Sequence, residues 1–145
     1  MSEHHKEEAV KCFNATWDLI DKPDRTHEDD LNMIHMAHAS RYHWGQIGTA
    51  LEFTRGEWQI SRVYALLGMG ESALFHAREA LRLCLDNRIG DFDLAFGYEA
   101  MARAYSVLGN QDAKAIFIEK AREATKAVAD EANRKYVESE LSTIR

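Results

Sequence analysis

The feature that most constrains this chain is an internal repeat. Arg62-Val63-Tyr64-Ala65-Leu66-Leu67-Gly68 returns as Arg103-Ala104-Tyr105-Ser106-Val107-Leu108-Gly109, with tyrosine and glycine in register at an offset of 41 residues. Ala80 and Ala121 each follow their glycine by 12 residues. A period in the range of roughly 20–50 residues marks an array whose units each expose an apolar face that only a neighbour can bury.

What is repeated is helical. Apolar residues recur at three- and four-residue spacing almost throughout, and no stretch alternates with the period of two that a half-buried strand shows. Val10, Phe13, Trp17 and Ile20 form a first stripe, closed by Lys22-Pro23-Asp24. Thr26 with Asp29 reads as a capping box opening a second helix, which carries Leu31, Ile34, His38 and Tyr42 and ends at Gly45 and Gly48. Thr49 with Glu52 opens a third, with Thr54 and Glu57 as a competing start. Gly68-Met69-Gly70 turns the chain into a fourth helix bearing Ala73, Ala77, Ala80, Leu81 and Cys84. Asn87 to Gly90 breaks it, and Asp91 reads as the N-cap of a fifth. After Gly109-Asn110 come a sixth helix (Ala113, Ile116, Phe117, Ala121, Ala124) and a seventh (Tyr136, Val137, Leu141, Ile144). A single proline in 145 residues suits an all-α chain of seven helices joined by short turns.

The repeat resembles the tetratricopeptide (TPR) family, in which a first helix ends Ala-Tyr-x-x-x-Gly and a second places small residues where helices cross. Tyr64, Gly68, Ala73 and Ala80 fit in one copy, and Ala102, Tyr105, Gly109 and Ala121 in the other. Lys114 stands where the second copy should have alanine, Glu57 and Tyr98 stand where the family has tryptophan, and neither copy has the closing proline. The period exceeds the family's 34 residues by about two helical turns of about 3.6 residues each. One extra turn per helix keeps the apolar faces in phase. The resemblance covers roughly residues 54–124 and implies antiparallel hairpins stacked as a short right-handed superhelix. On that reading residues 1–145 form one domain: an N-terminal hairpin (1–48), a first repeat (49–90), a second (91–128) and a capping helix (129–145).

The resemblance also implies a concave groove lined by the first helix of each repeat. Its outward positions are Arg55, Trp58, Arg62 and Ala65 in one copy, and Phe96, Glu99, Arg103 and Ser106 in the other. Arg62 and Arg103 share a slot, as do Trp58 and Glu99. Guanidinium forks beside an indole suit a carboxylate or an extended peptide. The expected ligand-binding residues are therefore Arg55, Trp58, Arg62, Glu99 and Arg103, and the expected ligand is a peptide, a protein segment or a small anion. The lysines and asparagines with which the family grips a C-terminal carboxylate are absent from these slots. A purely structural alternative pairs Arg62 with Glu99 across adjacent helices.

Other classes fare less well. A net charge of −6 gives no basic footprint for nucleic acid and no attraction to anionic membrane. There is no apolar run of membrane-spanning length and no apolar stretch near the N-terminus to serve as a signal peptide. Cys12 and Cys84 lie in apolar helical patterns, as free thiols of a cytoplasmic protein do. Four of the seven histidines fall between 27 and 43, and His35 and His38 share a helical face that could ligate a metal given a third ligand from His76, Asp93 or Glu99. No HExxH, cysteine pair or Gly-x-Ser-x-Gly accompanies them. Gly68-x-Gly70-x-x-Ala73 follows a helix where a dinucleotide fingerprint requires a strand. No cofactor and no catalytic residue is expected. Two further alternatives are an enzyme built on the His35/His38 face and a structural unit whose apolar end faces pair with a second copy as a homodimer.

Overall fold

A computed structural model describes residues 2–145. Among them all regular structure is helical: α1 (Ser2–Ile20), α2 (His27–Ile47), α3 (Ala50–Leu66), α4 (Gly70–Asp86), α5 (Asp91–Leu108), α6 (Gln111–Lys126) and α7 (Glu131–Leu141). None of these helices is long and apolar enough to cross a membrane. Neighbours pack as hairpins, α1 on α2, α3 on α4 and α5 on α6. The odd helices also lie close to one another in succession, α1–α3, α3–α5 and α5–α7, whereas the backbones of the even helices stay apart among the described residues, α2 and α4 meeting through the rings of His38 and His76. The molecule therefore has an inner layer of odd helices and an outer layer of even ones.

Local sequence explains the helix ends. At the start of α2 the Thr26 hydroxyl accepts the Asp29 N–H at 3.1 Å, and the Asp29 carboxylate accepts the Thr26 N–H at 3.0 Å. At α3 the Glu52 carboxylate accepts both the N–H and the hydroxyl of Thr49, at 2.7 and 2.9 Å. Thr54 is not a start: it lies inside α3, and its buried hydroxyl donates to the Ala80 carbonyl of α4 at 2.7 Å.

The two repeated segments fold alike. Gly68 and Gly109 both end their helix with φ of +76°, where a β-carbon would be strained. In each turn the next N–H closes on the tyrosine four residues before the glycine: Met69 to Tyr64 at 2.8 Å, Asn110 to Tyr105 at 3.0 Å. Each tyrosine stacks on a ring of the following helix, Tyr64 on His76 and Tyr105 on Phe117, with centroids 5.7 and 5.6 Å apart. Ala73, Ala77, Ala80 and Ala121 are fully buried. A second glycine pair shares the same spacing. A β-carbon on Gly56 would press on Arg41 of α2, and one on Gly97 would touch Leu81 of α4. Each lets the preceding outer helix come close.

Three expectations are corrected. The buried face of α1 is Ala9 and Thr16, while Val10 is 41% exposed and Phe13 and Trp17 are only half-buried. In α2, Met33, Ala37 and Ser40 are buried and Tyr42 is 63% exposed. The reason is shared: α1 and α2 meet through small residues, with Ser40 Oγ donating to the Ala9 carbonyl at 2.7 Å, which turns the larger side chains elsewhere. Gly90, not Asp91, is the N-cap of α5. Asp91 is the first helical residue, and its carboxylate accepts from its neighbour Phe92 and from Ala129, tying α5 to the α6–α7 connection.

Candidate functional site

The sequence-predicted groove residues lie on the inner layer in two groups. The first is a buried charge cluster. Glu99 on α5 is 0% exposed. Its carboxylate accepts from Trp58 Nε1 at 3.1 Å, from Arg103 Nε at 2.8 Å and from Arg62 Nη2 at 3.5 Å. Arg62 also lies over the Trp58 indole, 5.2 Å from its ring centroid. An anion this deep is tolerable only because two guanidiniums and an indole N–H surround it.

Both arginines have further partners at the C-terminal end. Arg62 Nη2 donates to Glu140 Oε1 at 2.8 Å. Arg103 Nη2 donates to the Glu140 carbonyl at 3.0 Å and to the Thr143 hydroxyl at 2.7 Å. Lys114 donates to the Arg145 carbonyl. Sequence reasoning left open whether Arg62 meets Glu99 or a ligand; here it meets Glu99 and Glu140 together. Arg62 Nε is buried without an acceptor.

Arg55 belongs to the second group. Its Nε and Nη2 donate to the two Asp93 carboxylate oxygens at 3.0 and 3.1 Å, and its guanidinium lies 5.5 Å from the Phe92 centroid. This fork-to-fork pair edges a cavity of about 230 Å³ between α1, α3, α5 and α7. Phe13, Trp17, Trp58, Phe92, Phe96 and Tyr136 form its walls, with Thr54 and Gly97 between them. The rings support one another: Trp17–Trp58, Trp58–Phe96 and Phe96–Tyr136 have centroids 5.5, 5.1 and 5.6 Å apart. The polar atoms near the walls are largely engaged already. The Trp58 indole is on Glu99, the Thr54 hydroxyl on Ala80, and Asp93 on Arg55.

Compared with family models, curated proteins and solved structures, the chain matches none. The site is therefore read from its own chemistry.

The histidines take other roles. His38 Nε2 is 2.9 Å from the Tyr64 hydroxyl, and its ring lies 5.4 Å from that of His76. Burial, and then the His76 charge, push the His38 pKa down. His76 Nδ1 is 2.7 Å from Glu57 Oε1, and Arg41 Nε donates to Glu57 Oε2 at 2.8 Å. His35 is exposed, and His43 Nδ1 lies 2.9 Å from His5 Nδ1. Among the described residues no group of three or more His, Cys, Asp or Glu side chains is placed to hold a metal. The third ligands that the sequence offered are engaged elsewhere: His76 on Glu57, Asp93 on Arg55, Glu99 on the arginines. Both cysteines are free, and burial raises each thiol's pKa, away from nucleophilic use.

Sequence reasoning missed most of the cavity. Phe13 and Trp17 read as a core stripe, and Tyr136 as part of a cap. Asp93 was visible as a possible third metal ligand, not as the partner of Arg55. The available signal was the density of aromatics on the odd helices, which a core alone does not require.

Proposed function

We propose that the chain is a TPR-like interaction module that holds a protein or peptide segment on its inner face and seats one apolar side chain of that segment in the aromatic cavity. The observation that carries this reading is the cavity itself. Six aromatic side chains from four helices converge on about 230 Å³ that they do not fill. A dry apolar cavity of about 150 Å³ accepts a benzene ring, so this one has room for a single aromatic or branched side chain. Aromatic pockets with engaged polar edges are where a few residues supply most of an interface's energy. The repeated turn, the tyrosine stack and the buried alanines support the TPR-like architecture, and the inner layer of odd helices supports a concave face. Two free thiols suit a reducing compartment such as the cytoplasm.

The arginines have a different place in this reading from the one sequence alone suggests. Arg62 and Arg103 are committed to Glu99 and to residues near Glu140, so a free anion is the lesser ligand and an apolar anchor the greater.

Selection of a random peptide library on the full chain tests this. Enriched peptides should share an aromatic or branched apolar residue. Phe92→Ala or Trp17→Ala should weaken their binding by about 2 kcal/mol or more, roughly thirtyfold, as for an interface hot spot. No enrichment, or binding indifferent to both substitutions in a chain of unchanged helicity, overturns the proposal.

A further inference from the structure

The helix α7 is the least buried of the inner layer. In it only Val137 is buried, against Ala9 and Thr16 in α1 and eight residues in each of α3 and α5. An 11-residue helix is below the length at which helices hold alone in water, so α7 depends on its docking. Tyr136 meets Phe96, Val137 packs with Ala95 and Phe96, and Leu141 lies against the same cluster. One turn after Tyr136, Glu140 places its carboxylate on Arg62 and its carbonyl on Arg103. The polar end of this contact is thus a carboxylate on Arg62 and a backbone carbonyl on Arg103, two cationic forks that are 12% and 16% exposed.

Sequence spacing fits α7 to this place. Glu140 follows Glu99 by 41 residues, as Glu99 follows Trp58. The helix thus lies where a next inner-layer helix would lie, packed against α5 and α6. It is the inner-layer element with the least to hold it.

We infer that the surface covered by α7 on α5 and α6, with Arg62 of α3 at its edge, is a partner-binding surface for an acidic amphipathic helix, for which α7 is the intramolecular stand-in. The inference rests on the interaction-module reading and names the partner's chemistry: an aromatic and a branched residue side by side, then a carboxylate one turn later. Such helix-in-groove recognition uses anchors at this spacing. The tethered α7 competes at a high effective concentration, so the surface opens only to a partner that binds better or when α7 is loosened. Opening leaves Arg62 and Arg103 with Glu99 as their remaining anion.

The probe is a labelled peptide of residues 129–145, titrated into the full chain and into a full-chain Val137→Asp variant whose own α7 cannot bury its anchor. The variant should bind the peptide at least tenfold more tightly than the wild type. A Glu140→Ala peptide should bind the variant at least tenfold more weakly than the wild-type peptide. Failure of the helical variant to bind, or binding indifferent to Glu140, overturns the inference. Should Val137→Asp unfold, amide exchange of the wild-type chain decides. Exchange of α7 well ahead of α3 and α5 upholds a displaceable helix, and protection equal to theirs overturns it. The cavity reading fails separately, through the Phe92 and Trp17 variants against library peptides that do not contain the α7 sequence.

Discussion

The hairpins α3/α4 and α5/α6 have the same turn, the same tyrosine stack and the same buried alanine, yet opposite chemistry beside them. In the first, the tyrosine stacks on His76, and Glu57 draws in His76 and Arg41. In the second, the matching positions are Phe117 and Tyr98, whose rings lie 6.4 Å apart without any charge. A few positions therefore fix the backbone: a glycine at positive φ, a tyrosine, and alanines where helices cross. Everything between them is free to become a titratable junction in one copy and an apolar one in the other. The inner layer shows the same freedom, with Trp58 in one copy and Glu99 in the next meeting each other directly.

Breaking the inner-layer contact should have the largest effect. Glu99→Ala leaves two nearly buried guanidiniums without their shared anion and should cost about 3–5 kcal/mol, read as a lower urea midpoint. A loss below about 1 kcal/mol, the level of a surface pair, would mean that both arginines are solvated. The crossing alanines come next. Ala80→Leu and Ala121→Leu should each cost about 1–3 kcal/mol through overpacking; a tolerated Ala121→Leu beside a damaging Ala80→Leu would show that the two crossings are not equivalent. Replacing Gly68 or Gly109 by alanine meets no atom within 4 Å, so only the backbone resists, at about 1–2 kcal/mol each. The two losses should agree.

The smallest effect separates the hairpins by pH. The folded-state pKa of His38 is lowered, chiefly by burial, with His76 and His35 adding to the shift and Glu57 opposing it. Below the unfolded value of about 6.5 the unfolded chain therefore binds the proton more readily. The His38 contribution is complete above that pH and is lost as pH falls towards and through the depressed folded value. Urea midpoints at pH 7.5 and 5.5 should differ more for the wild type than for His38→Gln. Equal differences would remove His38 from the junction.

The legibility of the chain follows from the same division. The seven helices, the hairpin arrangement and the turns at Gly68 and Gly109 were readable because short-range chemistry fixes them: period, caps and one left-handed residue. The α1 and α2 faces were misread because Ala9, Thr16, Ala37 and Ser40 are buried through closeness of approach, which hydrophobicity does not report. Gly56 and Gly97 went unnoticed for that reason too. Within the candidate site, Trp58, Arg62, Glu99 and Arg103 were found together because the repeat spacing lines them up. Asp93 beside Arg55, and Glu140 beside Arg62, were not, since both pairings depend on how separate helices stack.

The central claim is that the inner-layer aromatic cavity receives a side chain from a bound segment. The most direct measurement is a two-dimensional amide NMR titration of the full ¹⁵N-labelled chain with a library-selected peptide. The account predicts saturating shifts of the Trp17 and Trp58 indole N–H signals and of the Gly97 amide, with α2 and α4 little changed. Shifts confined to the outer helices, or none that saturate, would contradict it.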